Sequence, residues 1–319
     1  MRAIRRWVSP AIAVAALALV VWRLGTGPFL AGLKAVDARS VLAAAAVVLV
    51  TTVCSAWRWA VVSRGLGVRL SFRAAVGAYY RAVFLNLTLP SGVAGDVHRG
   101  VSHGREVHDV GRALRAVVWE RAAGQVVQVV LTIAVLLALP SPVRSSMPFV
   151  AVALVVVAVA VVAASRLGGG DSRWARVRNG AASDIRDGIL RRGALPAIVL
   201  TSVVVAAGHA VTFLIAARAA GVTAPISRLL PLVLLAVLAT ALPNIGGWGP
   251  REGVTAWVFS AAGLGAAAGA ATAVTFGVLV LAASLPGAVV LVVERLPRRC
   301  LPRPSRHGWF FRPEGAADA

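Results

Sequence analysis

Three carboxylates stand where the surrounding sequence is apolar: Asp96, Glu120 and Glu252. Each has an arginine nearby, Arg99, Arg121 and Arg251 respectively. An acidic or basic side chain at the centre of a membrane helix costs about 2.5–3.5 kcal/mol on insertion scales. Such groups therefore mark ligand or ion pathways by default. A carboxylate at the headgroup level is the alternative for Asp96, which borders a basic segment. Glu120 lies deeper, and its helical neighbours are polar. Glu120, Gly124 and Gln128 follow i, i+4, i+8 and share one face, with Arg121 and Gln125 beside them. That stripe lines a wet cavity or bonds helices together through amides. Thr51, Ser55 and Arg58 form a second polar stripe. Trp57 and Trp59 flank Arg58, so it reads either as an interfacial anchor or as cavity lining. His209 near Thr212 carries less weight, because a lone histidine is more often packed than functional.

Two similar breaks hold the other charged groups. Leu89-Pro90-Ser91-Gly92-Val93-Ala94-Gly95-Asp96 ends one apolar stretch. Leu242-Pro243-Asn244-Ile245-Gly246-Gly247-Trp248-Gly249-Pro250-Arg251-Glu252 interrupts another. Pro90 and Pro243 stop the preceding helix, since proline lacks an N–H and clashes with the turn before it. Gly92, Gly95, Gly246, Gly247 and Gly249 allow positive φ or close backbone approach. Amides freed at the start of the next helix attract anions. With Arg99 and Arg251 close by, they suggest a receptor for a lipid phosphate, with Asp96 and Glu252 orienting the arginines. Plain surface turns are the competing reading. Membrane backbone leaves a helix only where protein or a wet cavity satisfies it, and paired breaks point to a binding site in transporter-like folds.

The whole chain explains where these groups sit. It has 319 residues, 59% apolar and 14% charged, with a formal net charge of +21. Disorder and an ordinary soluble domain are excluded. The positive charge is arginine in short segments between apolar runs, with Lys34 the only lysine. This fits loops lying against anionic lipid and not nucleic acid. We expect an all-α polytopic membrane protein with six full spans at 8–24, 41–62, 113–139, 147–165, 194–217 and 268–293. Segments 72–97 and 226–263 are expected to be re-entrant helical hairpins of opposite sense. Arg-rich segments at the N-terminus, 98–115, 166–193 and the tail should face the cytoplasm. The N- and C-termini of this plasma-membrane protein are then both cytoplasmic. Residues 1–296 form the membrane domain, 166–193 is a solvated loop, and 297–319 is a basic, unstructured tail. The opposed breaks look like an inverted repeat, with duplication and chance recurrence both open. Cys54 and Cys300 sit at different expected depths and are not expected to pair.

Three motifs carry a specific resemblance. Asn86-Leu87-Thr88-Leu89-Pro90-Ser91-Gly92-Val93-Ala94-Gly95-Asp96-Val97-His98-Arg99 resembles the "N-x-x-L-P-x-G-x-G-G-D-x-x-R" signature of the lysylphosphatidylglycerol synthase transmembrane region family. Glu120-Arg121-Ala122-Ala123-Gly124 resembles its "E-R-x-x-G" element. Pro243 to Gly253 resembles its "P-x-x-G-G-x-G-x-R-E-G" element. Ala94 departs from the family glycine. Larger members join this region to a soluble domain that transfers an aminoacyl group onto phosphatidylglycerol, and the membrane part is implicated in flipping the product. Only 297–319 follows the last expected span, so the resemblance implies the flippase-like half alone.

The leading expectation is translocation of an anionic or polyprenyl-phosphate-linked lipid. The expected cavity comprises Arg58, Asn86, Asp96, Arg99, Glu120, Arg121, Gly124, Gln128, Arg251 and Glu252, with the prolines and glycines of both breaks. No cofactor, no metal and no catalytic residue is expected: no Cys/His metal spacing, nucleotide-binding loop or nucleophile–base pair stands out. Membrane lipids are the expected partners, with an envelope glycosyltransferase or aminoacyl-lipid synthase as a further one. An intramembrane enzyme acting on a lipid phosphate or lipid-linked sugar is the first alternative. A non-catalytic subunit of an envelope-glycan synthesis complex is the second.

Overall fold

A computed structural model of the chain describes residues 26–89, 92–139, 152, 173–240 and 248–295. The expected span 8–24, all of the expected span 147–165 except Val152, the tail, Cys300, Pro90, Pro243, Gly246 and Gly247 lie outside the described residues. The described part is helical: α1 (Gly27–Lys34), α2 (Ala38–Gly65), α3 (Phe72–Thr88), α4 (Ala94–Glu106), α5 (Val110–Ala138), α6 (Arg173–Gly188), α7 (Ala194–Ala219), α8 (Ile226–Ala239), α9 (Pro250–Ala261) and α10 (Ala266–Arg295). Four of these, α2, α5, α7 and α10, are long and apolar enough to cross a membrane. They match the expected spans 41–62, 113–139, 194–217 and 268–293. The chain is an all-α, multi-pass membrane protein.

Local sequence sets the helix starts. Asp37 caps α2 reciprocally with Ser40: the Ser40 amide donates to its carboxylate at 2.9 Å, and its own amide donates to the Ser40 hydroxyl at 3.2 Å. Ser71 caps α3, and Asp109 caps α5 by accepting from the Arg112 amide at 2.8 Å. Outward positions are apolar. Leu42, Val126, Val130, Leu200 and Val289 are between 60% and 71% exposed, as lipid-facing side chains are.

Small residues let the helices approach closely, the usual packing device where lipid is as apolar as leucine. A β-carbon at Gly208 on α7 would lie 2.2 Å from the Thr51 side chain on α2. One at Gly287 on α10 would lie 2.2 Å from the Tyr80 carbonyl on α3. The main apolar core joins α7, α8, α9 and α10 through Phe213, Leu229, Leu232, Phe259, Phe276 and Leu279. A second cluster, Ala56, Trp59, Ala75, Ala78, Tyr79 and Val117, packs α2, α3 and α5 around the charged residues.

The segments of both expected hairpins form packed helix pairs, α3 with α4 and α8 with α9. Two details differ from expectation. The returning limb of the first runs to Glu106, well past 97. Its sequence is polar, yet Gly95, Asp96, Arg99, Gly100, His103 and Gly104 are buried and form one inward stripe at helical spacing. The expected loop 166–193 contains a helix, α6. It is fastened by Asp184, which accepts from Arg115 Nε at 2.9 Å and from Trp119 Nε1 at 3.1 Å. These contacts come from α5, which sequence periodicity cannot reveal.

The break glycines differ in their task. Gly92 and Gly249 take positive φ, +65° and +121°. Gly95 instead provides room, since a β-carbon there would lie 2.1 Å from the Ala82 carbonyl oxygen. Gly95→Ala should therefore separate α3 from α4 and lower the thermal midpoint in detergent by several degrees. Gly77→Ala, where the nearest atom is 3.9 Å away, should leave it unchanged or raised. Equal midpoints for the two variants would show that the hairpin does not depend on this contact.

Candidate functional site

Glu120 lies on α5 with its side chain fully buried. Placing a lone carboxylate there is costly, so its partners are decisive. Arg58 of α2 donates to Oε1 through Nε at 2.9 Å and Nη2 at 2.5 Å. The Tyr79 hydroxyl of α3 donates to the same oxygen at 3.3 Å. Arg99 of α4 donates to Oε2 through Nη2 at 2.7 Å. One carboxylate thus binds four helices together.

Arg99 links this group to Asp96, donating through Nε at 2.9 Å. Its guanidinium carbon lies 4.5 Å from the Trp59 ring centroid and 4.4 Å from that of Tyr79, with cation–π contact to both. Asp96 also pairs with Arg121 at 2.6 Å. Asn86 clamps the break: its Nδ2 donates to Asp96 at 3.0 Å and its Oδ1 accepts from the Gly95 amide at 2.7 Å. Three guanidiniums therefore meet two carboxylates, leaving one positive charge in excess.

The spacing of Glu120 and Gly124 now has a physical reason. A β-carbon at Gly124 would lie 2.9 Å from the Arg58 guanidinium carbon. Arg58 passes over this notch to reach Glu120 one turn away, and continues to the Ser202 hydroxyl of α7 at 3.0 Å.

A cavity of about 720 Å³ opens beside the network. Arg58, Asp96, Arg121, Gly124 and Gln128 line it, as do Gly92 and the α2 stripe Thr51 and Ser55. Val48, Val97 and Val118 supply apolar wall. Glu120 and Arg99 sit behind this wall, and the Arg121 side chain is 45% accessible. Arg121 is thus the guanidinium of the network offered most openly to a guest.

The second break is placed differently. Arg251 and Glu252 are buried and pair through Nε at 3.0 Å and through Nη2. Glu252 also caps α9, accepting from the Gly249 amide at 2.6 Å. Arg251 lies over the rings of Trp248 and Phe276 and against Gly277. Arg251, Glu252 and Gly249 do not line the cavity; Thr240 and Val280 bring its wall toward this hairpin. The expectation of amides left open to an anion also needs correction. The Gly95 amide is held by Asn86 and the Gly249 amide by Glu252. At these two positions the backbone amide is already occupied by a side chain.

Sequence reasoning missed Tyr79, and gave Ser202 no role. Both had a signal. Tyr79, Val83 and Asn86 follow i, i+4, i+7 on α3, and Ser202 and His209 follow i, i+7 on α7. All but Asn86 line the cavity. Among the described residues no His/Cys/Asp/Glu group has metal-holding geometry.

The sequence profile of the family described as "Lysylphosphatidylglycerol synthase TM region" matches residues 6–287. The chain belongs to that family. None of the curated proteins and none of the solved structures matches it.

Removing one partner of a buried ion pair costs about 3–5 kcal/mol, because the other is left uncompensated. Glu120→Gln should destabilise the protein on that scale, stranding Arg58 and Arg99. Adding Arg58→Met in the same chain should recover part of the loss. A double-mutant cycle on unfolding in detergent measures the coupling. Strictly additive changes would mean that the two side chains do not stabilise one another.

Proposed function

We propose that this chain carries an anionic lipid headgroup through the cavity while the acyl or prenyl tails stay in the bilayer. The supporting observation is the Arg121 guanidinium, accessible from the cavity and backed by a network with one positive charge in excess. A phosphodiester matches that surplus in sign and offers oxygens that a guanidinium fork binds in pairs. Family membership supports a role in membrane lipid handling.

The wall supports the same reading. A cavity of about 720 Å³ lies within the ordinary range of ligand sites, roughly 300–1,000 Å³. Its polar side is made by Arg58, Asp96, Arg121, Gln125 and Gln128, and its apolar side by valines. A charged headgroup and the start of a hydrocarbon tail need those two surfaces together. In this reading no bond is made or broken, so the protein is a translocator and not an enzyme. It works in the plasma membrane with its Arg-rich end toward the cytoplasm, where anionic lipid attracts arginine.

Liposomes with phosphatidylglycerol labelled on its headgroup, and a parallel set with a labelled polyprenyl phosphate, test this directly. Dithionite bleaching of the outer leaflet reports movement of the label. The protein should accelerate at least one lipid over protein-free vesicles. Arg121→Ala should slow that lipid at least tenfold, and Val289→Ala should not. Failure to move either lipid sinks the proposed activity, and an unimpaired Arg121→Ala variant sinks the proposed site.

A further inference from the structure

Behind the charged network, four side chains carry buried polar atoms that the translocation reading does not use. Trp59 Nε1, Ser63 Oγ, Arg99 Nη1 and both ring nitrogens of His103 are buried with no hydrogen-bond partner among the described residues. Trp59 and Ser63 are 0% exposed, Arg99 1% and His103 6%. Buried polar atoms are paired in the great majority of cases, so four such side chains together call for a common partner.

Their positions make one partner reasonable. Ser63 follows Trp59 by one turn of α2, and His103 follows Arg99 by one turn of α4. The two pairs meet: Arg99 lies over the Trp59 ring, and the His103 ring meets Trp59 edge-on, centroids 5.9 Å apart at 79°. On the α5 side, Gly100 faces Leu114 and Val117, and Gly104 faces Val110, all apolar.

Hydrogen-bonding character selects the guest. The indole N–H and guanidinium N–H can only donate; a serine hydroxyl and a neutral imidazole can each donate once. No acceptor-only atom is among the orphans. The nearby carboxylates are already committed. Glu120 accepts from Arg58, Arg99 and Tyr79, and Asp96 from Arg99, Asn86 and Arg121. The Glu106 carboxylate is 3.6 Å from His103 Nδ1, beyond hydrogen-bond length, and turns outward with its side chain 69% exposed. A water molecule can accept only two of these four donated hydrogens. A halide ion has no hydrogen to place and can accept all four donated ones.

We infer that Trp59, Ser63, Arg99 and His103 form a buried binding site for one chloride-sized inorganic anion. The ion fastens Arg99 from the side not held by Glu120 and Asp96. None of the four side chains lines the cavity.

The purified full chain in detergent, exchanged into gluconate, is the material for the test. At constant ionic strength, chloride and bromide should each raise the thermal midpoint and saturate. Trp59→Phe keeps the aromatic face over Arg99 and removes the N–H; Ser63→Ala removes the hydroxyl. Both variants should lose the halide-specific rise. In crystals grown in bromide, an anomalous peak should lie between Trp59, Arg99 and His103. Identical midpoints in halide and gluconate overturn the inference. So does a rise retained in both variants, or density for ordered water with no anomalous signal. Lipid movement in liposomes can succeed or fail under either result, so the two readings are judged separately.

Discussion

A carboxylate without water must be neutralised by what touches it. Glu120 is that carboxylate. Burying it demands Arg58 and Arg99, and burying those demands further partners: Ser202 for one, Asp96 with the Trp59 and Tyr79 rings for the other. The contacts propagate until α2, α3, α4, α5 and α7 are all tied to one point. Continuum arguments give a buried ion pair little net stability relative to an apolar replacement. Specificity is the more direct consequence here. Apolar helices rich in alanine and valine pack in many registers, and a shared carboxylate admits few of them.

The break in α3–α4 follows from the same demand. Asp96 must reach Arg99 and Arg121 from the start of a helix, which requires the chain to turn sharply just before it. Gly92 supplies the positive φ, Gly95 the close approach to Ala82, and Asn86 the clamp between limbs. The second hairpin has similar ingredients and a different result. Glu252 spends one oxygen on capping α9 and the other on Arg251, so its charges satisfy each other within one turn. Similar motifs thus yield an open charge network in one place and a closed pair in the other.

Much of this was legible in the chain. The spans containing 41–62, 113–139, 194–217 and 268–293 were set by length and hydropathy, because nothing else buries so many consecutive apolar residues. The ends of α3 and α8 were legible because a proline follows each closely in the sequence, and proline cannot continue a helix. Helix α4 was less so, since its burial is of glycine, arginine and histidine, which hydropathy counts as polar. Pairing was the least legible feature. Glu120 lies 62 positions from Arg58 and 21 from Arg99, and its helix gives no sign of which cation will meet it. Tyr79 sat on a readable stripe with Asn86, but an aromatic residue at helical spacing is usually core, and only the position of Arg99 distinguishes the two roles. Arg251 and Glu252 show the converse: residue types suited to a cavity were drawn into packing by Trp248 and Phe276.

Arg58 lying across Gly124 also constrains motion. With its guanidinium seated in a notch of α5 and held by Glu120, α2 and α5 are keyed together like a bolt in a slot. Axial sliding of one past the other would require lifting a charged group over a side chain that is not glycine. The α2–α5 seam is thus locked in register, a constraint that packing of alanine and valine alone does not impose.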